Sequence, residues 1–240
     1  MKIQKIYFAV TVLATMMAIG ATSVACTNAN LVGVWGYQVG AAVGQFTADG
    51  NGHLTGSQTV SQNGVIGTQT YTGTYSVAAN CTGSLNLNIT GGGTASATFV
   101  LDNLKKGAQI IDTDSGTVAD GFGLVQGVVT CGLTGKKAIF AANLFGKIPN
   151  TGPIAYVAQL TLDGKGNVHG SGTFDVNGAI VTAPTIAGTY TENVDCTGTL
   201  QITPSGFSTL NFNFVVVNAG KEILLIETDN NTIVAGNMQK

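Results

Sequence analysis

The feature that most constrains this chain is a long internal duplication. Gln45, Thr47, Asp49, Gly50, Gly52, Gly56, Ser57, Thr59, Asn63 and Gly64 return 114 positions later as Gln159, Thr161, Asp163, Gly164, Gly166, Gly170, Ser171, Thr173, Asn177 and Gly178. The spacing then becomes 115, and Gly73, Thr74, Tyr75, Cys81, Thr82, Gly83 and Leu85 return as Gly188, Thr189, Tyr190, Cys196, Thr197, Gly198 and Leu200. The trio Asp112, Thr113, Asp114 returns as Glu227, Thr228, Asp229 at the same spacing. Solenoid units repeat every 20 to 50 residues, so a period this long is a whole domain used twice.

What that domain is follows from its local patterning. No stretch beyond the N-terminus shows helical spacing of apolar residues, whereas short alternating runs are separated by Gly, Asn and Asp, the mark of antiparallel strands. The first copy contains eight such runs, near 33–39, 42–48, 53–60, 66–77, 83–89, 95–101, 107–113 and 117–125. Asp49-Gly50 and Asn63-Gly64 fall between runs and return as Asp163-Gly164 and Asn177-Gly178. Such dipeptides accept positive φ at both central positions of a tight hairpin. Eight strands joined by short hairpins close into a barrel, which removes exposed edges. The expectation is an all-β chain, a tandem duplication of an eight-stranded antiparallel up-and-down, calycin-like β-barrel, with a leader over 1–25 and barrels over 26–127 and 128–240. A single 16-stranded membrane barrel is the rival. Against it stand an aromatic content of only 7%, no visible aromatic girdle and a polar C-terminus. Leu31 and Gly33 match Leu133 and Gly135 at an offset of only 102, so the second copy has gained twelve residues, expected as a loop around Phe145 to Pro153.

Lys2 and Lys5, the apolar run Ile6 to Gly20 and small residues through Ala25 have the three-part form of a secretory signal peptide. The run is too short to span a bilayer, which takes about 20 apolar residues. Cleavage after Ala25 leaves Cys26 first, a position that also admits acylation and a lipid anchor. The rest of the chain has no Arg, and charged residues are only 9% of the whole, against about a quarter in ordinary soluble domains. Guanidinium is the preferred group for phosphate and guanine recognition, so nucleic acid is not an expected partner.

Each copy has one Cys ahead of its first strand and one in its middle. The pairing that is identical in both halves joins Cys26 to Cys81 and Cys131 to Cys196, and an oxidising compartment would preserve both bonds. Zinc ligation is the competing use, but close Cys-x-x-Cys spacing is absent.

Groups for chemistry are few. His53 and His169 sit beside turns and align with Asn167 and Thr55, so neither is kept in both copies. Asp49-Gly50-Asn51-Gly52 superficially looks like the start of a calcium loop, but no further carboxylate follows it, and Lys165 occupies a ligand place in the second copy. No metal or other cofactor is expected. Asp112 and Glu227 stand out because alternation places them on the faces of Ile110 and Leu225. If those faces line the barrels, each barrel holds one inward carboxylate, suited to proton transfer or to a ligand's polar group. A solvated strand end is the plainer reading. Asp114 and Asp229 precede polar turns. Tyr75 and Tyr190, in the repeated Gly-Thr-Tyr, are candidates to line a cavity or to pack the core.

Cys-Thr-Asn-Ala-Asn-Leu at 26–31, Asp-Gly-x-Gly at 49 and 163, Gly-Thr-Tyr at 73 and 188, Cys-Thr-Gly at 81 and 196 and Thr-Asp at 113 and 228 resemble a family of exported bacterial β-repeat proteins of unknown function. The architecture is more loosely similar to lipocalin, avidin and allene oxide cyclase barrels. The resemblance implies export and transfers no activity. The leading expectation is an exported, non-catalytic protein that binds a small apolar ligand or acts as a cell-surface or matrix component. Asp112, Glu227, Tyr75 and Tyr190 are the candidate ligand contacts. The alternatives are a cyclase or isomerase working in a barrel cavity, and an adhesive or self-assembling surface protein.

Overall fold

The computed structural model describes residues 25–127 and 131–240; the leader expected over 1–25 lies outside them except for Ala25. Eight strands form the first barrel: β1 Gly33–Val39, β2 Ala42–Ala48, β3 His53–Gln62, β4 Val65–Val77, β5 Thr82–Ile89, β6 Thr94–Leu101, β7 Gly107–Asp112 and β8 Asp120–Val125. Each pairs antiparallel with the next, and β8 closes on β1. The second barrel repeats this with β9 Ala138–Ile148, β10 Gly152–Leu162, β11 Asn167–Val176, β12 Ala179–Glu192, β13 Thr197–Pro204, β14 Leu210–Val217, β15 Glu222–Glu227 and β16 Ile233–Gln239, where β16 closes on β9. The fold is therefore two closed, eight-stranded, up-and-down barrels in tandem.

The repeated dipeptides build the turns. Asn63 and Gly64 both take positive φ, 53° and 85°, as do Asn177 and Gly178. Asp49 Oδ1 accepts the backbone N–H groups of Asn51, Gly52 and His53, and Asp163 Oδ1 accepts those of Lys165 and Asn167. These carboxylates act as turn staples, which accounts for the Asp-Gly-x-Gly motif. Cys26 is bonded to Cys81 and Cys131 to Cys196.

Two details differ from the sequence reading. The last strand of the first barrel begins at Asp120, not 117, because Thr117 N–H turns back to Asp114 O. The twelve inserted residues are not a loop. Eight of them lengthen β9 and β10 to 11 residues each, against 7 in β1 and β2, and the rest fall in the turn between these strands and in the segment between Leu133 and β9. The turn between them carries Asn150 at φ 68°. Glycine and proline here belong to a paired ladder: a side chain at Gly146 would collide with the Ile233 carbonyl of β16, and Pro153 pairs with Lys147.

The barrels meet along their walls. Outward residues Val215 and Val217 of β14, Leu224 and Ile226 of β15 and Ala235 of β16 pack with Val43, Phe122 and Leu124 of the first barrel. Gly36 makes this approach possible, because a Cβ there would strike the side chains of Val215 and Val217. Polar links rim the seam: Asn213 Nδ2 donates to Thr59 Oγ1 (2.9 Å), Ser61 Oγ to Thr232 O (2.6 Å) and Gln45 Nε2 to Asp195 Oδ2 (3.0 Å).

Candidate functional site

The two barrels share a strand order but not an interior. In the second, Tyr156 of β10, Phe174 of β11 and Phe212 of β14 point inward, joined by Phe207 from the β13–β14 turn. Ring centroids lie 4.8 Å apart for Tyr156 and Phe174 and 4.6 Å for Phe174 and Phe207. The duplication aligns these four with Ala42, Val60, Ala97 and Gly92. Removing that aromatic bulk leaves the first barrel with a cavity of about 370 Å³, within the size range of small-molecule sites.

The cavity walls are Val39, Phe46, Leu54, Val60, Leu85, Leu87, Ile89 and Ile110. Leu85 and Leu87 are only half-buried, whereas their counterparts Leu200 and Ile202 are buried. A polar chain crosses the interior: Tyr37 OH donates to Gln58 Oε1 (2.8 Å), and Gln58 Nε2 donates to Gln69 Oε1 (2.8 Å). Burial pushes the Tyr37 phenol far up, and Tyr71 likewise, so both stay neutral hydrogen-bonding groups.

Ser96, Asp112, Asp114 and Thr117 also line the cavity, where β6 and β7 lead into the β7–β8 turn. Asp112 stands opposite Ala97 in the β6–β7 ladder. Its Oδ1 accepts Asp114 N–H (2.8 Å), and Asp114 Oδ1 accepts Ser96 N–H (3.1 Å). The second oxygen of each carboxylate has no hydrogen-bond partner among the described residues. Glu227 occupies the same register position in the second barrel, opposite Phe212, in a different environment. It is 1% exposed and accepts a hydrogen bond from Tyr156 OH (3.3 Å). Burial, then the nearby charge of Asp229, raises its pKa to about 7, while the Tyr156 bond pulls the other way. Asp229 itself is held by Asn211 through both oxygens. The burial that raises the pKa of Glu227 also closes it off from solvent.

Tyr75 and Tyr190 lie away from these carboxylates. Tyr75 OH donates to Asn28 O (3.2 Å) and accepts Gly50 N–H (2.9 Å), tying the segment before β1 to the β2–β3 turn. Tyr190 OH donates to Leu133 O (3.2 Å) in the equivalent place. Neither lines the cavity. His53 and His169 both sit on exposed strand ends. Among the described residues no three His, Cys, Asp or Glu side chains cluster to hold a metal ion.

Tyr37, Gln58 and Gln69 were not singled out from sequence. Their signal was present, as Gln58 and Gln69 are inward positions across the Asn63-Gly64 hairpin and pair in register. They align with Gly172 and Ala183, which pair in the same register, and residues kept in both copies do not include them.

The arrangement defines a tandem-barrel protein with one hollow and one filled barrel. No protein-family model and no curated protein matches the chain. Among solved structures it is similar to the isotype 1 transferrin binding protein B from serogroup B Neisseria meningitidis, at 10% identity and a TM-score of 0.38. The match covers 83% of this chain and 64% of that one. It assigns neither ligand nor partner here.

Proposed function

We propose that the protein is an exported, non-catalytic binding protein whose first barrel holds a small apolar ligand while its second barrel, filled by its own side chains, serves as the support. The observation that carries this reading is the cavity of about 370 Å³ in the first barrel, where the second copy of the same fold is packed with aromatic rings. The second barrel fills the corresponding space with Tyr156, Phe174 and Phe212, so the fold itself does not require this cavity. Export is supported by the leader pattern over 1–25 and by the two disulfides. A role at the cell surface or in a matrix is compatible with the low charge, and a lipid anchor through Cys26 is not part of the proposal because Cys26 is bonded to Cys81.

The test is to fill the cavity with the protein's own solution to the problem. Val60→Phe with Ala97→Phe copies Phe174 and Phe212 into the first barrel. A neutral polarity-sensitive dye such as N-phenyl-1-naphthylamine should bind the wild type at one site and raise its Tm. The doubly filled protein, with an unchanged far-ultraviolet spectrum, should not bind. A wild type that leaves the dye unbound, or a folded variant that binds it equally well, refutes the reading.

A further inference from the structure

The second barrel indicates what the first one takes. There the chain supplies its own occupant: the Tyr156 ring packs on Phe174, and its hydroxyl donates to the inward carboxylate of Glu227. The strand registers that hold this arrangement are the same in both copies. Tyr156 pairs with Phe174 and Phe212 with Glu227, as Ala42 pairs with Val60 and Ala97 with Asp112. The first barrel thus keeps the acceptor and lacks the side chains that carried the rings and the donor.

From this correspondence we infer that the ligand of the first barrel is a compact ring-bearing apolar molecule whose head donates hydrogen bonds, an amine above all, to Asp112 and Asp114. The inference rests on the binding role proposed above and goes further in naming the head. Two carboxylates line the cavity and no lysine does; Lys147 lies with Asp120 in the groove outside the wall. One oxygen of each carboxylate is committed to a backbone N–H, which fixes the side chain and leaves the other oxygen for a ligand. An ammonium head gains a charge-assisted bond there, roughly twice as strong as a neutral one. A carboxylate head would be placed beside like charge in a poorly solvated barrel end, which disfavours the fatty-acid type of ligand.

The experiment compares three probes of one body: 2-naphthylmethylamine, 2-naphthylmethanol and 2-naphthoate, titrated calorimetrically into the wild type and into the Asp112→Asn, Asp114→Asn double variant. Asparagine keeps an oxygen for the Asp114 and Ser96 amides, so the barrel end is preserved. The amine should bind the wild type at least tenfold more tightly than the naphthoate. In the double variant its affinity should fall at least tenfold, to the level of the alcohol, while the alcohol changes less than threefold. Binding of the alcohol with no preference for the amine overturns the assigned head and leaves the cavity reading intact. An amine affinity unchanged in the double variant also overturns it. If none of the three probes binds, both readings fall.

Discussion

Glu227 makes the stability of the second barrel depend on pH in a calculable way. Its pKa lies at about 7 in the folded protein, against an ordinary value of 4.5. Between those values the folded chain retains a proton that the unfolded chain has lost. Stability from this group is therefore complete below pH 4.5, declines as pH rises, and is gone above 7. Each pH unit is worth about 1.4 kcal/mol, so the full interval costs about 3 kcal/mol, a large share of a typical domain stability of roughly 5–15 kcal/mol. Glu227→Gln removes the titration, fits the same space and retains an oxygen for the Tyr156 hydroxyl. Urea unfolding followed by circular dichroism, disulfides intact, at half-unit steps from pH 4.5 to 8.5 should give wild-type and variant curves that diverge. The variant should gain about 3 kcal/mol on the wild type between the ends of that range. Titrations common to both proteins cancel in the difference. Curves that stay parallel within 1 kcal/mol would show that Glu227 is not the buried carboxyl described here.

Asp163 acts with the opposite sign. Hydrogen bonds from the Asn167 side chain and from the Asn167 and Lys165 amides hold its pKa down to about 2. The stability it contributes is present above pH 3.8 and lost as pH falls toward 2, so Asp163→Asn should flatten the acid limb of an unfolding curve. At the seam, Gly36→Leu drives a side chain into Val215 and Val217. It should destabilise the protein by about 1–3 kcal/mol and raise the radius of gyration in small-angle scattering with strand content unchanged; an unaltered radius counts against the close approach at Gly36.

Local features of the sequence carried the architecture. Asp49-Gly50 and Asn63-Gly64 need positive φ at defined positions, so the hairpins and their repetition were legible directly, as was the symmetric pairing of the cysteines. The β9–β10 extension was not. Gly146, Gly152 and Pro153 read as breakers, and only the presence of β16 alongside explains why a bare Cα is needed at Gly146. The candidate site was half legible. Alternation correctly turned Asp112 and Glu227 inward, but their different fates depend on cross-strand partners. Ala97 and Ala42 leave Asp112 open, while Phe212 and Tyr156 enclose Glu227. Tyr75 and Tyr190 were kept in both copies because each fastens a turn to the segment before its barrel. The residues that differ between copies, Gln58 and Gln69 among them, mark where the barrels diverge.

β15 has every one of its six residues buried, from Glu222 to Glu227. Ile223 and Leu225 belong to the inside of the second barrel, Leu224 and Ile226 to the seam with the first. A strand that serves two hydrophobic cores at once couples them mechanically. The wall of the hollow barrel at the seam is thus packed against the same strand that lines the filled one. Separating the barrels would strip Val43, Phe122 and Leu124 of their cover.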